Sequence, residues 1–309
     1  MKKWMNHIFI DGLTGMAQGL FATLIVGTIL QQIALLFDGN LGNQLVVVGK
    51  LAAALTGAGI GVGVAYRFKE SSLVVVTASI AGMVGAFASK ILAGTVFVEG
   101  TIVLAGPGEP LGAFLAAYAA IEAGHLVCGK TKVDILVTPI TMIVTGSAVG
   151  LLLGPPISKF MLALGELINW GTEQQPFLMG IIVSVLMGMI LTLPISSAAL
   201  GVILNLSGLA AGAATVGCCA NMVGFAVLSF KENKWGGFFA QGIGTSMVQV
   251  PNIIRNPRIW IAPTLASAIT GPIATCVFKL QMNGEAIASG MGTCGLVGQI
   301  GVYTGWIND

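Results

Sequence analysis

The stretch QLVVVGKLAAALTGAGIGVGVAY, Gln44–Tyr66, holds a single charged side chain, Lys50, in a run long enough to cross a bilayer as a helix. A buried helix of a large soluble core would read much the same, so the rest of the chain has to decide. Of 309 residues, 55% are hydrophobic and 8% charged, against roughly a quarter charged in an ordinary soluble domain. That leaves too few charged side chains to coat a soluble particle, and the chain reads as a polytopic membrane protein.

Further apolar runs follow the same reading: 13–37, 73–91, 111–127, 133–153, 177–193, 236–254 and 259–278. Lys2 and Lys3 precede the first of them with no small-residue cleavage site, so that helix is expected to stay in the protein. After Pro155 and Pro156, residues 158–170 mix Lys159 and Glu166 with Phe160, Met161, Leu162 and Leu164, as a short interfacial amphipathic helix would. Residues 194–230 are too long for one span, and their centre, LNLSGLAAGAATVGCCANMVG, has the small and polar make-up of a re-entrant hairpin or a broken helix lining a polar cavity. The tail EAIASGMGTCGLVGQIGVYTGW is again punctuated by glycine. The expectation is an all-α membrane protein of about ten transmembrane or re-entrant segments with internal repeats.

Lys and Arg in the short loops put the N-terminus, the 67–69 loop and the 130–132 loop on the cytoplasmic side. Arg255 and Arg258 do not fit the alternation that this implies. The repeats are short but keep their order. Ala17-Gln18-Gly19, Leu51–Gly57 and Gly82-x-x-Gly85 near the start answer to Ala240-Gln241-Gly242, Leu265–Gly271 and Gly295-x-x-Gly298 near the end. They divide the single membrane domain into an N-terminal repeat, 10–105, a middle segment, 106–230, and a C-terminal repeat, 235–309.

Ionisable and amide side chains inside such runs are the candidate site, because each is costly to bury without a purpose or a partner. Glu122 and His125 stand three apart in AAIEAGH, on nearly one helix face, and can share one cavity or one proton. A wet helix end near Lys130 is the plainer reading of His125. Gln18 and Gln241 occupy corresponding repeat positions, where a hydrogen bond between helices competes with solute binding. Asn205, Asn221, Thr293 and Gln299 lie in the two glycine-rich stretches, where freed backbone groups suit an anion or a sugar hydroxyl. Lys50 either meets an anionic group or snorkels to the surface. For Thr56 and Thr270, helix packing is the simpler account.

Five cysteines, an odd number in or beside apolar runs, read as packing residues rather than as a disulfide framework. With two histidines in the whole chain, no metal site or cofactor is expected. The scattered cations give no nucleic-acid surface.

DGLTGMAQGLFATLIVGTILQQI (11–33), KLAAALTGAGIGVGVAYRF (50–68) and GTCGLVGQIGVYTGW (292–306) resemble the perfringolysin regulatory-protein (PfoR) family, grouped with the membrane subunits IIC of the bacterial sugar phosphotransferase system. The likeness runs over essentially the whole chain. It implies a multi-pass protein of the bacterial plasma (inner) membrane, a homodimer, and uptake of a small polar solute such as a sugar or sugar acid. It also implies separate cytoplasmic phosphotransferase proteins as partners, since this chain has no soluble stretch long enough to hold a phosphotransfer module and is not itself expected to be an enzyme. The regulatory role ascribed to members of that family leaves a second expectation, a membrane-bound sensor that binds solute without carrying it. The subunits IIC of that system hold sugar with a Glu and a His. Glu122 and His125 are the nearby pair here, though their flanking motif does not match.

Overall fold

The computed structural model describes residues 7–34, 37 and 39–308; the last residues of the first expected span, 35 and 36, lie outside this set. The chain forms two units, Met1–Phe160 and Met161–Asp309.

In the first unit, α1 (His7–Ala34) is a single long apolar helix. α2 (Asn40–Ala54) and α3 (Thr56–Arg67) are one apolar run bent by 52° at Leu55. α4 (Ser72–Ala86) starts on a Ser71 cap and stops at Phe87, whose φ/ψ of −105°/10° ends the helix before the short α5 (Ala88–Leu92). A two-stranded hairpin, β1 (Phe97–Val98) and β2 (Thr101–Ile102), leads to α6 (Pro110–Val127), whose proline sits at the first helical position where no N–H is needed. α3, α4 and α6 pack on one another, and the first half of α1 packs on α3.

Glycines set these crossings. Gly15 faces Gly63, Gly19 faces Gly59 and Gly57 faces Gly82, so backbones meet with no side chain between them. Where lipid tails are as apolar as leucine, this close approach supplies the attraction that a hydrophobic core supplies in water.

α7 (Asp134–Thr172) runs through the boundary between the units as one helix. The break expected after Pro155 and Pro156, with a separate amphipathic helix at 158–170, is therefore not present. Leu152, Pro155 and Pro156 are all exposed, so the carbonyls that the two prolines leave unpaired can tilt outward without displacing a neighbour.

The second unit contains α8 (Pro176–Thr192), α9 (Ser197–Ile203), α10 (Gly208–Leu228) and α11 (Phe230–Phe239), the last turned at Lys234. A broken stretch follows: a π turn, Ala240–Gly244, a 3₁₀ turn, Ser246–Gln249, and α12 (Val250–Arg255). A 3₁₀ turn, Pro257–Trp260, then opens α13 (Ile261–Pro272). α14 (Ala286–Ser289) and α15 (Val297–Asn308) close the chain. α8, α10 and α13 form the packed triad, and α9 packs on α14.

One expectation is refined here and one changes. The stretch read as a re-entrant hairpin or broken helix opens with a break around Asn205 and continues from Gly208 as α10, an unbroken helix, with a second break around Pro194 ahead of α9. The span expected at 236–254 is not a span, because Thr245 is extended (φ −157°, ψ 138°) and no helix in it exceeds a few turns. This removes the conflict over Arg255 and Arg258. Gly224 lies against Pro263, and the Asn221 Nδ2 donates to Ser267 Oγ at 2.7 Å, so α10 and α13 are antiparallel and residues 229–260 begin and end at one end of the unit.

Among the described residues, five helices are long and apolar enough to cross a membrane, or six if α2 and α3 make one span: α1, α6, α7, α10 and Pro257–Val277. α4 and α8 are apolar but shorter. The chain is an all-α multi-pass membrane protein.

Candidate functional site

Glu109 is held in an unusual way for a residue between prolines. Gly106 and Gly108 adopt φ of +76° and +73°, which folds GPGEP back against the end of α4. A Cβ on Gly108 would stand 2.8 Å from both Cβ and carbonyl oxygen of Ala86, so only glycine lets the loop in this far. The Glu109 N–H donates to the Ala86 carbonyl at 2.8 Å, and its carboxylate accepts from the Leu111 N–H at 3.3 Å, capping α6. Nearby, Lys90 donates to the Ala105 carbonyl at 2.6 Å and Ser89 to Gly154 at 3.1 Å. Among the described residues no cation forms an ion pair with the carboxylate. Burial pushes Glu109 from 4.5 up to about 7, and the Leu111 N–H offsets only part of that. A carboxyl poised at neutrality can both donate to and accept from a hydroxyl, which is what recognition of a polyol needs.

The sequence alone does not single this residue out, because it lies in the linker between two apolar runs, where an acid carries no desolvation cost. The available signal was GPGEP itself, two glycines and two prolines around one acid directly ahead of an apolar run.

Glu122 and His125 are not joined to each other. Glu122 Oε1 lies 3.6 Å from His7 Nε2, whose ring stacks on Phe68 at 3.7 Å; His125 Nδ1 meets Glu70 at 3.1 Å. The i, i+3 spacing does place both on one side of α6, but each turns to a different neighbour, α1 for one and the α3–α4 turn for the other. Arg67 adds a third pair, to Asp11 at 3.4 Å. The Glu122 side chain is 44% exposed and that of His125 69%. These groups tie together the helix ends that carry Arg67, Lys69, Lys130 and Lys132. Gln18 and Lys50 are exposed, Gln18 between buried Ala17 and Gly19.

In the second unit Gln241 is buried and both ends of its amide are engaged. Asn252 Nδ2 donates to Gln249 Oε1 at 2.9 Å, Gln249 Nε2 to Gln241 Oε1 at 2.6 Å, and Gln241 Nε2 to Ser229 Oγ at 2.7 Å. This head-to-tail chain of amides allows the broken stretch to be buried, since side chains satisfy one another where helical bonds are missing. Changing Gln249 to Leu would strand the buried Gln241 Oε1. The expected cost is about 1–3 kcal/mol, read as a lower melting temperature of the purified protein; an unchanged value would refute the role given to the chain.

Asn221 is fully buried and turned toward α13 through Ser267, with its Oδ1 unpaired. Thr293 and Gln299 are brought together on another part of α10, where Thr293 Oγ1 donates to Met222 Sδ at 3.4 Å and Gln299 Nε2 to Cys219 Sγ at 3.3 Å. Asn205 is exposed at φ +46° in the turn before α10. The nine residues picked from the sequence are thus dispersed over several environments.

Comparison with known proteins gives one result over nearly the whole chain. A family model described as "Phosphotransferase system, EIIC" matches residues 10–308. No curated protein matches.

Proposed function

This chain belongs to the phosphotransferase system EIIC family, and on that premise we propose that it is a permease carrying a small polyhydroxylated solute, a sugar or sugar acid, by alternating access. The observation that carries the solute class is Glu109, a half-buried carboxyl near neutrality at the start of α6 with no ion-pair partner among the described residues. Such a group favours hydroxyls over a carboxylate, so neutral sugars come first. Glycine-lined crossings and the interrupted stretches at 194–207, 240–256 and 290–296 support movement of helices past one another.

Thr293, Gln299 and Asn205 are retained as solute-facing candidates in the second unit. Glu122 and His125 are assigned to the helix-end cluster instead. The three segments 11–33, 50–68 and 292–306 favour the perfringolysin regulatory-protein branch of the family, a homodimer in a bacterial plasma membrane, and cytoplasmic phosphotransferase proteins as the source of phosphate.

The test is counterflow of labelled solute in proteoliposomes across a panel of neutral sugars, sugar acids and sugar phosphates. Saturable exchange of at least one neutral sugar is expected. Exchange of none, with the protein folded and inserted, refutes the reading.

A further inference from the structure

α11 contains no buried residue, yet four of its ten residues are Phe or Trp. They cluster on themselves: Phe230 and Trp235 have ring centroids 5.1 Å apart, Trp235 and Phe238 5.7 Å, Phe238 and Phe239 5.8 Å. Trp235 is 63% exposed and Phe239 52%. In water such a patch is unfavourable. At the boundary of a bilayer it is what the chemistry prefers, because aromatic rings settle at headgroup depth. The place is right for that, since α11 begins two residues after the membrane-length helix Gly208–Leu228.

The charges agree. Lys231 and Lys234 lie on α11, and the antiparallel pairing of α10 with α13 brings Arg255 and Arg258 to the same end of the unit. All four are exposed, and among the described residues none forms an ion pair. Glu232 is the only acid between Ser229 and Trp260, which leaves this end with an excess of three positive charges. Four cations at one end mark it as cytoplasmic, the face where the leaflet carries anionic lipid.

We propose that the aromatic turn of α11 and the four cations around it are a docking surface for the headgroup layer of an anionic phospholipid leaflet. Rings without cations would call for any bilayer, and cations without rings for any polyanion; the combination beside the end of a span selects a negatively charged membrane surface over a soluble partner. The amide chain makes the surface consequential. It starts at Ser229, which precedes α11 directly, and ends on α12, so lipid that fixes α11 also fixes the broken stretch.

The unsubstituted protein in nanodiscs of phosphatidylcholine, with and without phosphatidylglycerol, provides the first measurement. A melting temperature several degrees higher with phosphatidylglycerol is expected, and high salt should reduce the difference. Replacing Lys231, Lys234, Arg255 and Arg258 together by Gln should remove most of it, and Lys159→Gln, on the other side of the membrane from these four, should leave it in place. Second, the fluorescence lost in Trp235→Phe should be quenched by spin label held near the headgroups and shielded from aqueous iodide. An equal melting temperature in both lipids, a rise that survives the fourfold change, or Trp235 open to iodide and untouched by lipid label would each overturn the proposal. The last pattern would point to a soluble protein or a second copy as the occupant. None of these readouts depends on transport, so they stand apart from the counterflow test.

Discussion

Glu109→Gln is expected to lower solute exchange by about 10- to 100-fold while the protein still folds, since it removes a charge-capable hydrogen-bonding group and keeps its size. The same change should alter stability in a predictable direction. Folding raises the Glu109 carboxyl from 4.5 to about 7, so the folded protein holds its proton more tightly than the unfolded chain does. Its contribution is fully present below pH 4.5 and is lost as pH rises through about 7. The unsubstituted protein should therefore lose at most about 3 kcal/mol between these limits, and the Gln variant should lack that part of the pH dependence. Parallel pH–melting profiles check it. Superimposable profiles would place Glu109 in water and remove the basis for its role.

Gly217→Val is expected to be the most damaging single substitution in the second unit. A Cβ at Gly217 would stand 2.5 Å from the carbonyl carbon and Cα of Ser184. Those are backbone atoms of α8 and cannot rotate away, so the helices must separate. Separation also strains the contact from Cys218 Sγ to the Met187 carbonyl (3.5 Å) and the donation from Asn221 to Ser267 (2.7 Å). The expected cost exceeds about 3 kcal/mol, enough to prevent recovery of folded protein. Gly236→Ala is the control. No atom lies within 4 Å of where its Cβ would be, and the exposed helical position should tolerate or favour alanine. Equal recovery of both variants would show that the crossing is looser than described.

Spans that bury one face against neighbours and show the other to lipid were legible once the scarcity of charge had ruled out a soluble core. Residues 236–254 were not. The same apolar content there reflects burial in protein, and Gln241 and Gln249, costly in lipid, are satisfied by each other through a pairing that hydropathy does not see. Pro155 and Pro156 misled in the opposite sense, because a proline's cost depends on which way the helix faces at that point. The burial of the two acids was illegible for a related reason. Glu122 lies within an apolar run but near its end, whereas Glu109 is desolvated by a fold-back onto Ala86, a contact between residues far apart in the chain. Local sequence carries no record of such contacts beyond the glycines that permit them.

The length of α7 has its own consequence. Thirty-nine residues make a rod of about 58 Å, against a hydrocarbon layer of about 30 Å. Even leaning by about 40°, the upper end of what membrane helices adopt, it would keep only about 39 Å in the oily layer. The remaining third must stand among headgroups or beyond them. Lys159, Glu166, Asn169 and Trp170, all exposed near its C-terminal end, are suited to that emergent portion, which gives the amphipathic composition of 158–170 a home without a separate helix.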